Sequence, residues 1–347
     1  MKRALRILVS ADPEIPVPPV LYGGIERVID SLIGEFRHRG HEVALVAHRE
    51  STVAVDRFFS WPGTSSLSRI DTVRNAMALR RAVQSFRPDV VQSFSRIAYM
   101  LSILPGRLPK VMSYQREPSP RTTSCAHRLS RGSLVFTGCS EHIAATGRKA
   151  GGQWHAIPNF IDPNKLDFVP EVAPDAPLVF LSRIEPIKGC HTAIAIAKAS
   201  GRRLLIAGNR VETGSAAGYW DQEIAPHLAR DGIEYVGTVN DEQKNTLLGQ
   251  AAAMVVPIEW EEPFGIVFAE ALACGTPVIS CPRGAVPEIV RHGVHGFHIR
   301  TVDEGVDAVS RLGQIRRKAC REQVESQFTV GVVANRYLDL YQHLQPG

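Results

Sequence analysis

No stretch of this sequence approaches the ~20 consecutive apolar residues that a membrane-spanning helix requires. The opening segment, MKRALRILVSADPE, is basic and then apolar. Arg6 interrupts that run and acid follows at once, so Leu5 to Ser10 reads as a first strand and not as a signal peptide. Cysteine is sparse and scattered. Cys125, Cys139, Cys190, Cys274, Cys281 and Cys320 form no CxxC pair, which argues against a disulfide frame or a zinc site and fits reduced thiols in a cytoplasmic protein. The first glycine loop is not a GxGxxG dinucleotide fingerprint. No nucleic-acid-binding motif or interleaving of aromatic with basic residues occurs, so nucleic acid is not an expected partner.

What is present describes an ordinary globular chain. Its 347 residues suffice for two domains, each with its own core, and 44% hydrophobic with 22% charged residues is a usual balance. The net charge of +5 is unevenly placed: residues 1–170 hold 23 Lys/Arg against 14 Asp/Glu, and the remainder 17 against 21. Arginines at 69, 74, 80, 81, 87, 96, 107, 116, 121, 128 and 131 dominate the basic half. Two readings of that half stand side by side. One is a solvated surface rich in arginine; the other is a face for an anionic acceptor or anionic lipid headgroups.

Alternating signals divide the first half into βα units. The strand Arg6 to Ala11 leads through a proline-rich loop to Gly23 and Gly24. A helix follows with Ile25, Val28, Ile29, Leu32, Ile33 and Phe36 on one face and Gly40 as its stop. A second strand, His41 to Ala47, completes a unit of a parallel sheet. Adjacent glycines before a helix let a phosphate approach the backbone. Further on, Arg69 to Phe86 is a basic amphipathic helix, residues 88–92 and 110–114 are strands, and Ser140 is an N-cap before SEHIAA. A proline-rich stretch, 163–177, reads as a linker.

In the second half, Leu178 to Leu181 is a strand leading into SRIEPIKG, where Arg183 and Lys188 precede a helix over 191–199. Converging there, the two cations neutralise a diphosphate; the bland alternative is a pair of solvated charges. Strands are expected over 203–207, ending in Gly208-Asn209, and over 233–237 and 253–258, with helices over 219–228 and 305–325. His292, His295 and His298 suggest a metal site. Gly293 and Gly296 break any helix that would align them, so that reading is rejected.

The most informative stretch is WEEPFGIVFAEALACGTPVI, residues 260–279. Acid, proline and aromatic residues make its start a loop, and apolar spacing from Gly265 to Gly275 makes its middle a helix. Glu270 lies roughly 8 Å along the axis from Gly265 at 1.5 Å per residue. A helix start for a phosphate, Glu270 for a ribose hydroxyl and Glu262 for a second sugar together describe a sugar nucleotide. An acidic loop followed by an unremarkable amphipathic helix fits the spacing equally well.

The run EEPFGIVFAEALACGTPVI, with seven residues between Glu262 and Glu270, resembles glycosyltransferase family 4. So do the Arg183…Lys188-Gly189 pair, the PDVV step at 88–91, IPNFID at 157–162 and HGVHGF at 292–297. The resemblance is strong over 178–297 and looser over 1–177. It implies a GT-B fold: two doubly wound, Rossmann-like parallel-sheet domains facing a central cleft. They would span 1–170, on the acceptor side, and 171–329, on the donor side, with a helix over 330–347 returning to the first.

The implied activity is a retaining, metal-independent transfer of a hexosyl group from a nucleotide-diphosphate sugar to an acceptor hydroxyl, with no cofactor. Arg183 and Lys188 would hold the diphosphate and stabilise the leaving group, and Glu262 would bind the transferred sugar. Donor contacts would come from Gly23, Gly24, Gly208, Val239, Phe264, Gly265, Ile266 and Glu270. Many family members carry a histidine after the strand at 110–114 where this chain has Gln115, which hydrogen-bonds but carries no charge. Rival readings are another enzyme on the same fold, such as a sugar-nucleotide epimerase or a phosphorylase, and a non-catalytic nucleotide-sugar-binding protein.

Overall fold

The computed structural model describes residues 3–20, 23–211 and 213–345. It divides into two compact units, one running to Asn159 and resuming at Val330, the other Phe160–Thr329. Tyr22 of the YGG loop lies outside the described residues.

The first unit contains β1 (Arg6–Ser10), α1 (Gly24–His38), β2 (Glu42–Ala47), β3 (Arg57–Ser60), α2 (Arg69–Phe86), β4 (Val90–Ser93), β5 (Lys110–Tyr114), α3 (Pro120–Ser130), β6 (Leu134–Gly138), α4 (Glu141–Arg148) and β7 (Trp154–Ala156). All seven strands are parallel, in the order β3-β2-β1-β4-β5-β6-β7. Near-continuous apolar strands such as Val43–Ala47 are buried, as a parallel sheet covered by helices requires. Ser140 caps α4 by accepting from Ile143 N.

The second unit contains β8 (Leu178–Leu181), α5 (Cys190–Ala199), β9 (Leu204–Ala207), β10 (Ile233–Gly237), α6 (Asp241–Gly249), β11 (Ala253–Val255), α7 (Ile266–Ala273), β12 (Val278–Ser280), α8 (Val286–Ile289), β13 (Gly296–His298), α9 (Val302–Ser310) and α10 (Arg317–Gln327). Its six parallel strands run β10-β9-β8-β11-β12-β13. The last helix, α11 (Val330–His343), belongs to the first unit. There Tyr341 Oη donates to Gln92 Oε1 (2.8 Å), Gln92 Nε2 to Ser113 Oγ (2.7 Å), and Ser113 Oγ meets Tyr337 Oη (3.1 Å). This buried network fixes the helix in one register on the sheet.

Five expectations need correction. The division falls after Asn159 and not at residue 170, and the stretch 163–177 is no free linker. Val169 N donates to Cys274 O, Asp167 exchanges hydrogen bonds with Asn245, and the buried Arg317 guanidinium donates to Val169 O. Residues 219–228 do not form a regular helix. Trp220–Ile224 is a single π turn and Ala225–His227 a 3₁₀ turn, because Pro226 has no N–H to continue an α-helix. The segment 305–325 is two helices, α9 and α10, parted by the 3₁₀ turn Leu312–Gln314. The strand expected over 253–258 ends at Val255.

Candidate functional site

In open parallel sheets, ligands bind beyond the carboxyl ends of the strands where the strand order reverses. In the second unit that reversal lies between β8 and β11, so the loops 182–189 and 256–265 frame the site. Their backbones touch. Glu259 N donates to Ile187 O at 2.8 Å. Gly189, at φ +72°, sits so close that a Cβ would lie 2.1 Å from Pro257 O. A third loop, after β12, closes on Glu262, whose carbonyl accepts from Ala285 N at 2.8 Å.

These loops place one cation and one carboxylate against each other. Lys188 Nζ lies 2.8 Å from Glu262 Oε2, with the two side chains only 10% and 13% exposed. Trp260 Nε1 donates to the same oxygen at 3.0 Å, and the Lys188 ammonium sits 4.4 Å from the Trp260 ring centroid. Both donors fall on Oε2; among the described residues Oε1 has none. Arg183 differs in environment. Its guanidinium is exposed and meets Glu185 at 2.7 Å. The two cations share a loop, as the sequence predicts, but have different counter-ions.

From Gly265, at φ +92°, the chain turns into α7 with no side-chain cap. The first N–H groups of a helix lack the usual partner four residues back; Phe268 N donates to Gly265 O at 3.0 Å, which leaves those of Ile266 and Val267 available to a ligand. Glu270, further along α7, is held by Lys244 Nζ at 2.6 Å, and Lys244 also meets Asp241 at 3.1 Å. Burial would lower the Lys244 pKa, but Glu270 and Asp241 outweigh it and hold the pKa above its usual value. Val239 is half-buried just before the start of α6, where Asn240 and Gln243 form a capping box. Gly208, at φ +140°, is needed for close approach, since a Cβ would lie 1.8 Å from Ser182 O. The Phe264 ring is buried edge-on against Phe328 (5.6 Å), which fixes the loop just before Gly265.

The first unit has its own reversal, between β1 and β4. Ser10, Ser93 and Ser95 form a triangle of buried hydroxyls there, at 3.0–3.1 Å. Asp12 follows β1. Burial and then Glu14 push its pKa up, against Arg116 and Arg96. Its Oδ1 is buried without a hydrogen-bond partner. The Gly23-Gly24 start of α1 already faces a carboxylate: a Cβ on Gly23 would lie 2.7 Å from Glu26 Oε2. Burial raises the Glu26 pKa, with Asp12 adding to the effect. Gln115 is half-buried directly after β5.

The rings of the three clustered histidines are engaged with backbone. His292 Nδ1 accepts from His298 N, His295 Nδ1 accepts from Arg291 N, and His298 Nε2 lies 2.7 Å from Val290 O. Among the described residues no group of three or more His, Cys, Asp or Glu is arranged to hold a metal ion. Sequence reading did not single out Asp12, Glu26, Lys244 or Trp260 as site residues. Lys244 alone left a trace, since Asn240 with Gln243 is a capping-box signature that places it on a helix.

Residues 22–165 match the family model Glycosyltransferase Family 4, and residues 166–325 match Glycosyl transferases group 1. A D-inositol 3-phosphate glycosyltransferase of Mycolicibacterium paratuberculosis is 36% identical over 141 residues, 39% of this chain and 31% of that relative. The matched part thus spans less than a third of the relative's length. Among solved structures, AviGT4, a glycosyltransferase involved in Avilamycin A biosynthesis, is similar with a TM-score of 0.71 at 23% identity, covering 99% of this chain and 98% of that one. Anabaena HepE, solved in complex with UDP and glucose, is similar with a TM-score of 0.71 at 18% identity, covering 98% and 100%. At these identities the likeness is one of fold, the two-domain GT-B architecture.

Proposed function

The chain belongs to glycosyltransferase family 4, and we propose that it transfers a hexosyl group from a nucleotide-diphosphate sugar to an acceptor hydroxyl with retention. The observation that carries this reading is the pair of ion pairs, Lys188–Glu262 and Lys244–Glu270, placed before and after the uncapped start of α7. A diphosphate at that helix start attracts Lys188 and Arg183 and draws Lys188 off Glu262. Glu262, so released, accepts hydrogen bonds from hydroxyls of the transferred sugar. Glu270, oriented by Lys244, accepts from the ribose. The cations move no proton; they stabilise the charge that builds on the departing diphosphate, and they supply the positive charge that a bound metal would otherwise bring. Acceptor contacts are assigned to Asp12, Arg96, Arg116 and Gln115 in the first unit.

HepE was solved with UDP and with UDP-glucose, which makes uridine donors the first to try. Among the described residues no helix is long and apolar enough to cross a membrane. The buried free thiols of Cys139, Cys190, Cys274 and Cys320 fit a reducing compartment, so we place the protein in the cytoplasm.

Thermal unfolding without added metal, against UDP, GDP, ADP and dTDP and their common sugars, tests the reading. A nucleotide at 100 times its dissociation constant stabilises the native state by ~2.7 kcal/mol. One nucleotide should raise the midpoint, and Arg183→Ala should abolish the rise. Silence across the whole panel overturns the donor site.

A further inference from the structure

At the amino ends of β8, β9, β11 and β12, the second unit forms a concavity of about 650 Å³. It lies at the opposite end of the strands from the loops that frame the candidate donor site. Its lining includes four cations, Arg202, Arg316, Arg317 and Lys318, and no Asp or Glu among the described residues. Glu171 and Asp175, on the segment leading to β8, are exposed and do not line it. Three of the cations are consecutive at the start of α10, whose first turn holds no acid. Positive side chains there oppose the helix dipole, so they cost stability where they stand. Their partners are weak or neutral: Lys318 reaches Glu322 only at 3.7 Å, and Arg202 Nη2 donates to Ala176 O. Arg317 is 9% exposed. Its Nε donates to Val169 O, Nη1 to Ala251 O and Nη2 to Gly249 O, at 2.7–2.9 Å. The remaining acceptors, Cys274 O and Thr276 Oγ1, are also neutral, so a positive charge is buried with no carboxylate against it. Burial pushes its pKa down, opposed only by the Cys320 and Cys274 thiols. Buried charges are ordinarily paired.

The volume falls within the range of about 300–1,000 Å³ that small-molecule sites occupy, and four cations without an acid select an anion. We propose that this concavity binds a compact phosphorylated metabolite. Its phosphate oxygens meet the Arg202 and Arg316 guanidiniums and the Lys318 ammonium, and they supply the counter-charge that Arg317 lacks. Pro174, Pro277 and Leu312, which also line the space, offer apolar surface to the carbon body of the ligand. A flat acidic protein surface would reach the exposed Arg316 and Lys318 and leave the concavity unfilled. None of these residues belongs to the donor site, and neither reading depends on the other.

Calorimetric titration of inorganic pyrophosphate into the full chain tests the proposal, at a fixed ionic strength of about 0.15 M so that screening is constant. The Arg183→Ala background weakens the competing diphosphate site. Pyrophosphate should bind, and Arg316→Gln with Lys318→Gln should weaken that binding at least tenfold, since two charge-assisted contacts are lost. Both residues are exposed and both oppose the dipole of α10. The double variant should therefore melt no lower than its parent without the probe, yet lose the rise in melting that pyrophosphate gives. Arg128→Gln with Lys149→Gln, which removes two exposed cations of the first unit, should leave binding unchanged. Phenyl phosphate should bind tighter than inorganic phosphate, because the walls take its carbon body. No binding, equal weakening in both double variants, or lower melting of Arg316→Gln with Lys318→Gln without the probe overturns the proposal. Equal affinity for the two phosphates overturns the metabolite in favour of a free phosphate ion. Failure of the donor site shows separately, as silence of the nucleotide panel, and leaves this result standing.

Discussion

Lys188 Nζ and Glu262 Oε2 stand 2.8 Å apart in a nearly buried pair, so the cation proposed for the phosphate and the carboxylate proposed for the sugar are each other's counter-ion. Removing one partner of such a pair strands the other charge and costs about 3–5 kcal/mol. Glu262→Ala should therefore lower the unfolding midpoint. The loss should shrink when the stabilising nucleotide is added, because its diphosphate becomes the new partner of Lys188. Denaturant unfolding with and without nucleotide checks this, and a deficit of equal size in both conditions counts against Lys188 as a phosphate ligand.

Lys244→Met removes the cation that holds Glu270 at 2.6 Å while leaving the capping box of α6 in place. Hydrogen bonds to charged groups are worth about 1.5–3 kcal/mol, so nucleotide affinity should fall at least tenfold. Calorimetric titration reads this directly. Unchanged affinity would remove Glu270 from the ribose site.

Only part of this site was legible in the sequence. The ends of α2, β5 and β10 could be read to the residue because each has an apolar pattern with a clear stop. Glu262 and Glu270 were legible because eight positions and one glycine fix their relation to a helix start. The pairing of Glu270 with Lys244 was not, since 26 residues separate them and only sheet order brings them together. Residues 219–228 misled because Trp220 and Tyr219 look like helix-face residues. Trp220 instead packs against Arg210 (3.8 Å) and Tyr235 (4.7 Å), and Tyr219 hydrogen-bonds His191. The edge strands β3 and β7, four and three residues long, carry too few alternations to show a period.

Gly208→Ala should be severe. A side chain at φ +140° costs about 1–3 kcal/mol in backbone strain, and its Cβ would lie 1.8 Å from Ser182 O. Melting should drop by many degrees, and nucleotide binding should weaken because the exits of β8 and β9 move apart. An alanine variant that melts like wild type contradicts the close approach.

Lys110 gives a pH signature. Burial pushes its pKa down to about 8, while Gly106 O and Leu108 O accept from its ammonium. The unfolded chain keeps its proton up to about pH 10.4, so between those values it binds more protons than the native state. This group's contribution to stability therefore rises with pH across that window. Lys110→Met should melt higher than wild type at pH 7, with the difference narrowing by pH 10. A constant difference across that range would show that Lys110 titrates normally.

The most direct test of the central claim is turnover. Donor sugars of the nucleotide that binds are mixed with a panel of sugar and lipid acceptors, and released nucleotide is followed without added metal for wild type and Glu262→Ala. The account predicts acceptor-dependent release and a retained anomeric configuration in the product. It also predicts that the variant loses turnover far more than it loses affinity for the free nucleotide. Equal losses in both would contradict the role given to Glu262. Binding without turnover for any acceptor would leave a nucleotide-sugar-binding protein, with Gln115 as the residue to restore to histidine.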